Sequence, residues 1–325
     1  MVGFCSMLLE ICYRFLSSLS SLSSPRKRGF IQMDPRFRGD DRVCTKLHFL
    51  CVVLGVCLSF QSFAWNALGH EVIANIAYDH LNPKARETVD QLVSQFSKEY
   101  PTFTTFNQLA IWPDKLREQK IESFTHWHYI DFPFSEDGTE LKNIADTDNI
   151  IWALPLIETP LANVKANPYE RARFLAFLTH FIGDIHQPLH TTSRISAKYP
   201  NGDQGGNLFY LKYPANDPKT ISLHTLWDQG MDLFTGDTSD ENINTLAQSI
   251  TTHFPESYFG TKINDVDPNH WGQEGFTIST TLVYATPEKA VPNEYYLIDA
   301  HRMCEERVAL AGYRLAKVLN DLLDN

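Results

Sequence analysis

From residue 65 onward, apolar residues recur at the three-to-four spacing of an α-helix. In WNALGHEVIANIAYDHL (65–81), Leu68, Val72, Ile73 and Ile76 fall on one side, which predicts an amphipathic helix. Asn82 and Pro83 then offer a capping side chain and a proline at the first helical position, opening a helix through about Phe96. The same period predicts a short helix over 106–117 and long apolar ones over 149–165 and 168–185. Helices resume around His224, over 241–253, near 269–284 and over 297–323. The pattern lapses twice. Residues 124–134 (FTHWHYIDFPF) are aromatic and turn-bounded, predicting an extended or irregular wall. Residues 191–222 are the least regular, with turns at Pro200-Asn201-Gly202 and Gly205-Gly206 and one strand candidate, NLFYLKY at 207–213. With no repeat, linker or second core, the expectation is an all-α fold: a single helical domain with a small irregular or β-hairpin insertion.

Before residue 65 the pattern is different. LHFLCVVLGVCLSF (47–60) is an apolar run too short to span a bilayer comfortably, preceded by Arg42 and Lys46 and followed by Ser62-Phe63-Ala64. That order predicts a signal peptide at about 42–64, cleaved after Ala64. Residues 1–40, with a Ser/Leu run at 16–24 and Arg26-Lys27-Arg28, fit neither core nor linker, so the true start is expected further in, at Met33. The domain would then be 65–325, a monomer, secreted or periplasmic, with no membrane anchor after cleavage.

Setting the leader aside changes the charge and the redox chemistry. The whole chain has 28 Lys/Arg and 39 Asp/Glu; residues 1–64 hold eight and four of these, leaving the remainder at −15. Such acidity argues against a basic groove for nucleic acid, unless divalent cations bring the positive field. Five of six cysteines also fall in the leader, and only Cys304 is left. The domain therefore has no internal disulfide and no thiolate cage, and any metal must be held by histidine and carboxylate.

Those ligand types are concentrated in LTHFIGDIHQPLH (178–190). His180 and Asp184 are four apart and project from one helix face. Pro188 stops the helix, and His190 is delivered by the loop beyond it. His224 and Asp228 in LHTLWD repeat the four-residue spacing. One H-x-x-x-D pair is more often a surface coincidence or a capping carboxylate; two copies flanking His190 are much harder to dismiss.

Other candidates are weaker taken singly. If Trp65 is the mature N-terminus, its α-amino and carbonyl groups can chelate a metal with His70 five positions on, although alone His70 reads as a solvated helix residue. Asp114 precedes Arg117 by three, which local sequence reads as an ordinary surface ion pair. His126 and His128 alternate at strand period and are expected to point to the same side. His186 lies around the helix from Asp184 and is expected to brace the site from behind. His80, His253, His270 and His301 have no partner at ligand spacing and are assigned to structure or surface.

Taken in order, W-N-x-x-G-H, W-x-D-x-x-R, W-H-Y-I-D, H-F-x-G-D-I-H-Q-P-L-H, G-G-N and L-H-x-x-W-D resemble the S1/P1 nuclease family of zinc-dependent single-strand nucleases and 3′-nucleotidases. The resemblance covers essentially all of residues 65–228. It implies an all-helical domain with a trinuclear zinc cleft. By motif, Asp114, His128, His180 and Asp184 would hold one zinc. The Trp65 amino and carbonyl groups, His70 and a shared Asp184 would hold a second, and His190, His224 and Asp228 a third. Tyr129 would stack a base, Asp131 would read its edge, Asn207 would line the same pocket, and Arg117 would lie beside the scissile phosphate. The implied substrates are single-stranded DNA and RNA and 3′-nucleotides, cut by zinc-activated hydroxide to leave 5′-phosphates. Completion of the cluster would wait for removal of the leader.

Two departures stand out. Fungal and plant members are disulfide-bonded and glycosylated, whereas this domain has one cysteine, and its 191–222 loop is longer than the family pattern leads one to expect. Two alternatives remain at this stage. A zinc phospholipase C resembles the family in fold but places the first histidine further from the tryptophan and ends the second pair with glutamate. A non-catalytic zinc-binding protein would need the ligands but not Arg117, Tyr129 or Asp131.

Overall fold

A computed structural model describes residues 65–215 and 219–324, all within the unit Gln61–Asn325. The expected leader, its cleavage point and the internal start lie outside the described residues. The first four helices are α1 (Ala67–Asp79), α2 (Pro83–Glu99), α3 (Phe106–Leu109) and α4 (Trp112–Glu118). Then come β1 (Phe132–Phe134), α5 (Ile150–Ala162), α6 (Pro168–His186), β2 (Thr192–Arg194), β3 (Tyr210–Lys212) and β4 (Thr220–Ser222). The rest are α7 (Leu223–Asp228), α8 (Asp240–His253), α9 (Glu256–Phe259), α10 (Pro268–Thr281) and α11 (Glu294–Leu323).

The core forms around α6, whose every residue from Leu175 to His186 is buried. A helix covered on all sides must be central, and α6 packs against α2, α5 and α11. The amphipathic α1 lays its Val72, Ile73 and Ile76 face against α11. Helix starts follow their side chains. Asn66, Asn82, Asn149, Asn167 and Asn293 each accept a hydrogen bond from an N–H of the first turn, a contribution of about 1 kcal/mol apiece.

Three expectations need correction. The helix expected over 106–117 is two helices, because Pro113 cannot donate to the Leu109 carbonyl and its ring crowds that position. The expected 207–213 strand pairs only over β3, antiparallel to β4 with Tyr210 opposite Ser222. The 269–284 helix ends at Thr281 and gives way to a tight 3₁₀ turn, Val283–Ala285.

A second pairing had no expectation at all. The 124–134 wall is a 3₁₀ turn, Thr125–His128, followed by β1, which runs parallel to β2 with Phe132 opposite Thr192 and Phe134 opposite Arg194. Its ladder continues toward the histidines, where the Ile130 N–H donates to the His190 carbonyl at 2.8 Å. This short pair therefore locks His128 and His190 side by side.

Candidate metal centre and active site

On α6, His180 and Asp184 stand one turn apart on the same face, Nε2 to Oδ2 3.2 Å. Gly183 lies between them, and a Cβ there would sit 2.8 Å from His70 Nδ1. Its missing side chain lets His70 of α1 stack on His180, ring centroids 4.0 Å apart, with Nε2 3.2 Å from Asp184 Oδ1. His128 Nδ1 approaches the other oxygen of Asp184 at 2.9 Å. Asp184 thus turns one oxygen to His70 and the other to His128 and His180. Asp114 on α4 closes the group, 3.8 Å from His180 Nε2 and 3.9 Å from His128 Nδ1, with Arg117 Nη1 3.6 Å from its carboxylate.

A second grouping sits beyond the end of α6. His190 and His224 bring their Nε2 atoms within 3.1 Å of each other, and Asp228 Oδ2 is 3.5 Å from His224 Nε2. Each ring is aimed by its other nitrogen. His190 Nδ1 donates to the His128 carbonyl at 2.7 Å and His224 Nδ1 to the Gly205 carbonyl at 2.6 Å. His180 Nδ1 likewise donates to the Ala110 carbonyl at 2.6 Å; the break between α3 and α4 leaves that carbonyl available. Gly205 must be glycine, since its φ is +58° and a Cβ would sit 2.4 Å from the Leu189 carbonyl oxygen.

The donor set fits divalent metal ions. A carbonyl only accepts, so Nδ1 carries the proton in His180, His190 and His224, and a neutral ring presents a bare lone pair at Nε2. In His190 and His224 two such lone pairs face each other in a buried space, an arrangement that a cation stabilises. Among buried atoms without a hydrogen-bond partner are His70 Nε2, Asp114 Oδ1 and Asp184 Oδ1. Burial lowers His70 to about 4, His128 to about 3 and His224 to about 3, with neighbouring histidines adding to it for His70 and His224. These rings are therefore unprotonated and ready to ligate. Burial opposes charge on His180 and Asp184 as well, but their mutual attraction prevails, raising His180 and holding Asp184 well below the ordinary carboxylate range. Three buried sets result, His70/His180/Asp184, Asp114/His128/His180 and His190/His224/Asp228, the ligand atoms within each lying within 4.8 Å of one another.

Every ligand expected from side chains is in these sets, and Trp65 borders them. Its buried indole donates to the Gly183 carbonyl at 3.1 Å, and the next N–H, of Asn66, donates to the Asp228 carbonyl at 3.0 Å. His126 and His128 do not share a side. His128 is buried, whereas His126 is partly exposed and pairs with Asp148 at 3.0 Å. The Tyr129 hydroxyl donates to Asp146 at 3.4 Å. Asp131 feels the charges of Asp146 and Asp203 and is pushed up to about 7, chiefly by burial. Asn207 hydrogen-bonds the Gln204 carbonyl in the Asp203–Asn207 turn. His186 points to the back of α6, where its Nε2 accepts from Arg314 at 3.0 Å. His80, His253, His270 and His301 stand outside the sets.

Sequence reasoning missed Gln187 and Asp203. Buried Asp203 accepts from the N–H groups of Arg194 and Gly206 and from the Tyr284 hydroxyl, fixing the turn whose Gly205 carbonyl aims His224. Gln187 donates to Asp228. The only local hint was that Gln187 stands inside the 178–190 motif, between Asp184 and His190, and that Asp203 lies two residues before Gly205-Gly206-Asn207.

The S1/P1 Nuclease family model matches residues 65–324. Endonuclease 1 of Arabidopsis thaliana is 24% identical over 301 residues, covering 86% of this chain and 93% of that protein. Nuclease S1 of Aspergillus oryzae is 25% identical over 306 residues, 82% of this chain and 94% of its own. Nuclease P1 of Penicillium citrinum is 24% identical over 288 residues, 79% and 97% respectively. With the family match spanning the whole of the helical fold and every candidate ligand in it, the chain belongs to the S1/P1 nuclease family and is a hydrolase acting on the phosphodiester bonds of nucleic acids.

Proposed function

We propose that the chain is a secreted or periplasmic zinc-dependent endonuclease that cuts single-stranded DNA and RNA to 5′-phosphorylated products, with 3′-nucleotidase activity at the same centre. The observation that carries this reading is the trio of buried His/Asp sets, two of which share His180, with the third, His190/His224/Asp228, beyond the end of the helix that carries His180 and Asp184. Asp114, His128, His180 and Asp184 would hold one zinc; Trp65 through its amino and carbonyl groups, His70 and Asp184 a second; His190, His224 and Asp228 a third. Bound zinc would supply the charge that polarises a phosphoryl oxygen and makes water acidic near neutral pH.

The chain's own groups do the rest. Asp114, buried with Arg117 3.6 Å away, orients the attacking water. Arg117, beside Asp114, spreads the negative charge that builds on the phosphoryl oxygens. Attack forms a P–O bond on phosphorus and breaks the bond to the 3′ oxygen, leaving a 5′-phosphate on one fragment and a 3′-hydroxyl on the other. Tyr129 stacks an unpaired base, a contact contributing about 1–3 kcal/mol that duplex DNA cannot offer without unstacking. Asp131 reads the edge of that base and Asn207 lines the pocket.

Metal analysis of the secreted protein together with end-group analysis of its digests tests this reading. The expected result is three zincs per monomer, Trp65 as the first residue, and 5′-phosphate ends from single strands. One residue added before Trp65 should abolish most activity. A protein with full activity and no zinc, or one releasing phosphocholine from lipid, would refute it.

A further inference from the structure

Gln187 is the residue at which α6 stops, and it is wholly buried. Its backbone N–H still donates to the Asp184 carbonyl at 2.9 Å, but its side chain has left the helix and makes two bonds of 2.6 Å. Oε1 accepts from the Leu189 N–H, and Nε2 donates to Asp228 Oδ1. The first bond fixes the second. A backbone N–H can be met only by the amide oxygen, so the NH₂ must face the carboxylate. Gln187 is fully buried and Asp228 nearly so, so losing either bond leaves a buried polar atom unmet.

With Oδ1 gripped in this way, Asp228 presents Oδ2 toward His224, 3.5 Å from its Nε2. We propose that Gln187 is a positioning residue for the His190/His224/Asp228 set: it decides which oxygen of Asp228 faces the two imidazoles, and it ties that set to the end of the helix carrying His180 and Asp184. The same side chain shapes the turn that delivers His190, since Leu189, whose N–H it holds, immediately precedes that histidine. One amide therefore aligns two of the three ligands, one by orienting a carboxylate and the other by closing a turn. The inference rests on the metal-binding reading of the site. Outer partners of this kind typically change metal affinity about 10–100-fold.

A cap alone would need only Oε1. Gln187→Glu keeps an acceptor for the Leu189 N–H but sets a second carboxyl against Asp228, whereas Gln187→Met removes both bonds. Each variant, loaded with zinc, is titrated with a competing chelator well below its melting temperature, and the ions released are counted stepwise. The expected result for both is selective weakening of one ion by about 10–100-fold, the others leaving as in the wild type. In an Asp228→Asn background, neither substitution should weaken that ion further. Equal weakening of all ions, or an unchanged profile for Gln187→Glu, would overturn the role of Gln187 and leave it a helix cap. A wild type that binds no metal would instead overturn the reading of the site, and this inference with it.

Discussion

At the scale of single residues, Asp131 shows how burial tunes a carboxyl near the His/Asp sets. Burial first, then the carboxylates of Asp146 and Asp203, raise it from 3.8 to about 7. Between those values the folded chain binds more protons than the unfolded one, so stability falls as pH rises through that window. Asp131→Asn should therefore stabilise the protein at pH 8, by about 2 kcal/mol once residual solvent screening is allowed for, and change little at pH 3.5. Denaturant titrations at the two pH values check the sign; an equal gain at both would place the cause outside this carboxyl. The metal ligands were far more legible than their supports. His180/Asp184 and His224/Asp228 repeat a helical spacing that chemistry demands. His126 and His128 diverge from the strand-period expectation, because the two-residue spacing falls in a 3₁₀ turn. In a 3₁₀ turn each residue advances about 120°, so residues two apart diverge instead of aligning. Gln187 meets Asp228 across 41 positions and Asp203 meets Tyr284 across 81, distances over which no local pattern exists.

At the scale of elements, α6 is held from behind as firmly as it is loaded in front. Glu274 on α10 accepts from Arg307 and Arg314 of α11 in three bonds of 2.8 Å. The same guanidiniums reach the His186 carbonyl and Nε2, each at 3.0 Å. Burial alone would raise the Glu274 carboxyl, yet the two guanidiniums outweigh it and hold the group well below the ordinary glutamate value. Glu274→Gln leaves two buried cations without their counter-charge and should cost about 3 kcal/mol at pH 7. A depressed carboxyl contributes stability above its unfolded value, so the gap between wild type and variant should narrow as pH falls below about 4.5. Thermal melts across that range decide it; a gap constant to pH 3 would mean packing rather than charge. The long helices were readable because each carries its own period and its own capping asparagine. The β1–β2 pair was not, because parallel strands separated by α5 and α6 leave no trace in either three-residue segment. The split between α3 and α4 lies just ahead of Pro113, and the apolar period that runs across it masks the break.

At the scale of the whole molecule, charge poses the problem that the metal sets answer. The 65–325 portion carries −15, yet its substrate is a polyanion. A nuclease that grips its strand with lysine and arginine releases one counterion per phosphate contact and loses about 10³-fold or more in affinity between 50 and 200 mM salt. On the proposed reading the attraction is concentrated in buried ions at the reacting phosphate, with Arg117 beside them, and preference for a single strand comes from stacking on Tyr129, which salt barely affects. Over the same salt range KM on a short single strand should therefore rise by less than about tenfold. The chelated protein should bind that strand no better than an acidic protein without the site, since the ions are what reverse the local field. Parallel salt series on the loaded and chelated protein, read by cleavage and by equilibrium binding respectively, separate the two sources of attraction. A slope as steep as that of a basic groove would locate the grip in surface cations outside the His/Asp sets. An undiminished affinity after chelation would mean that the strand is held by surfaces that need no metal at all.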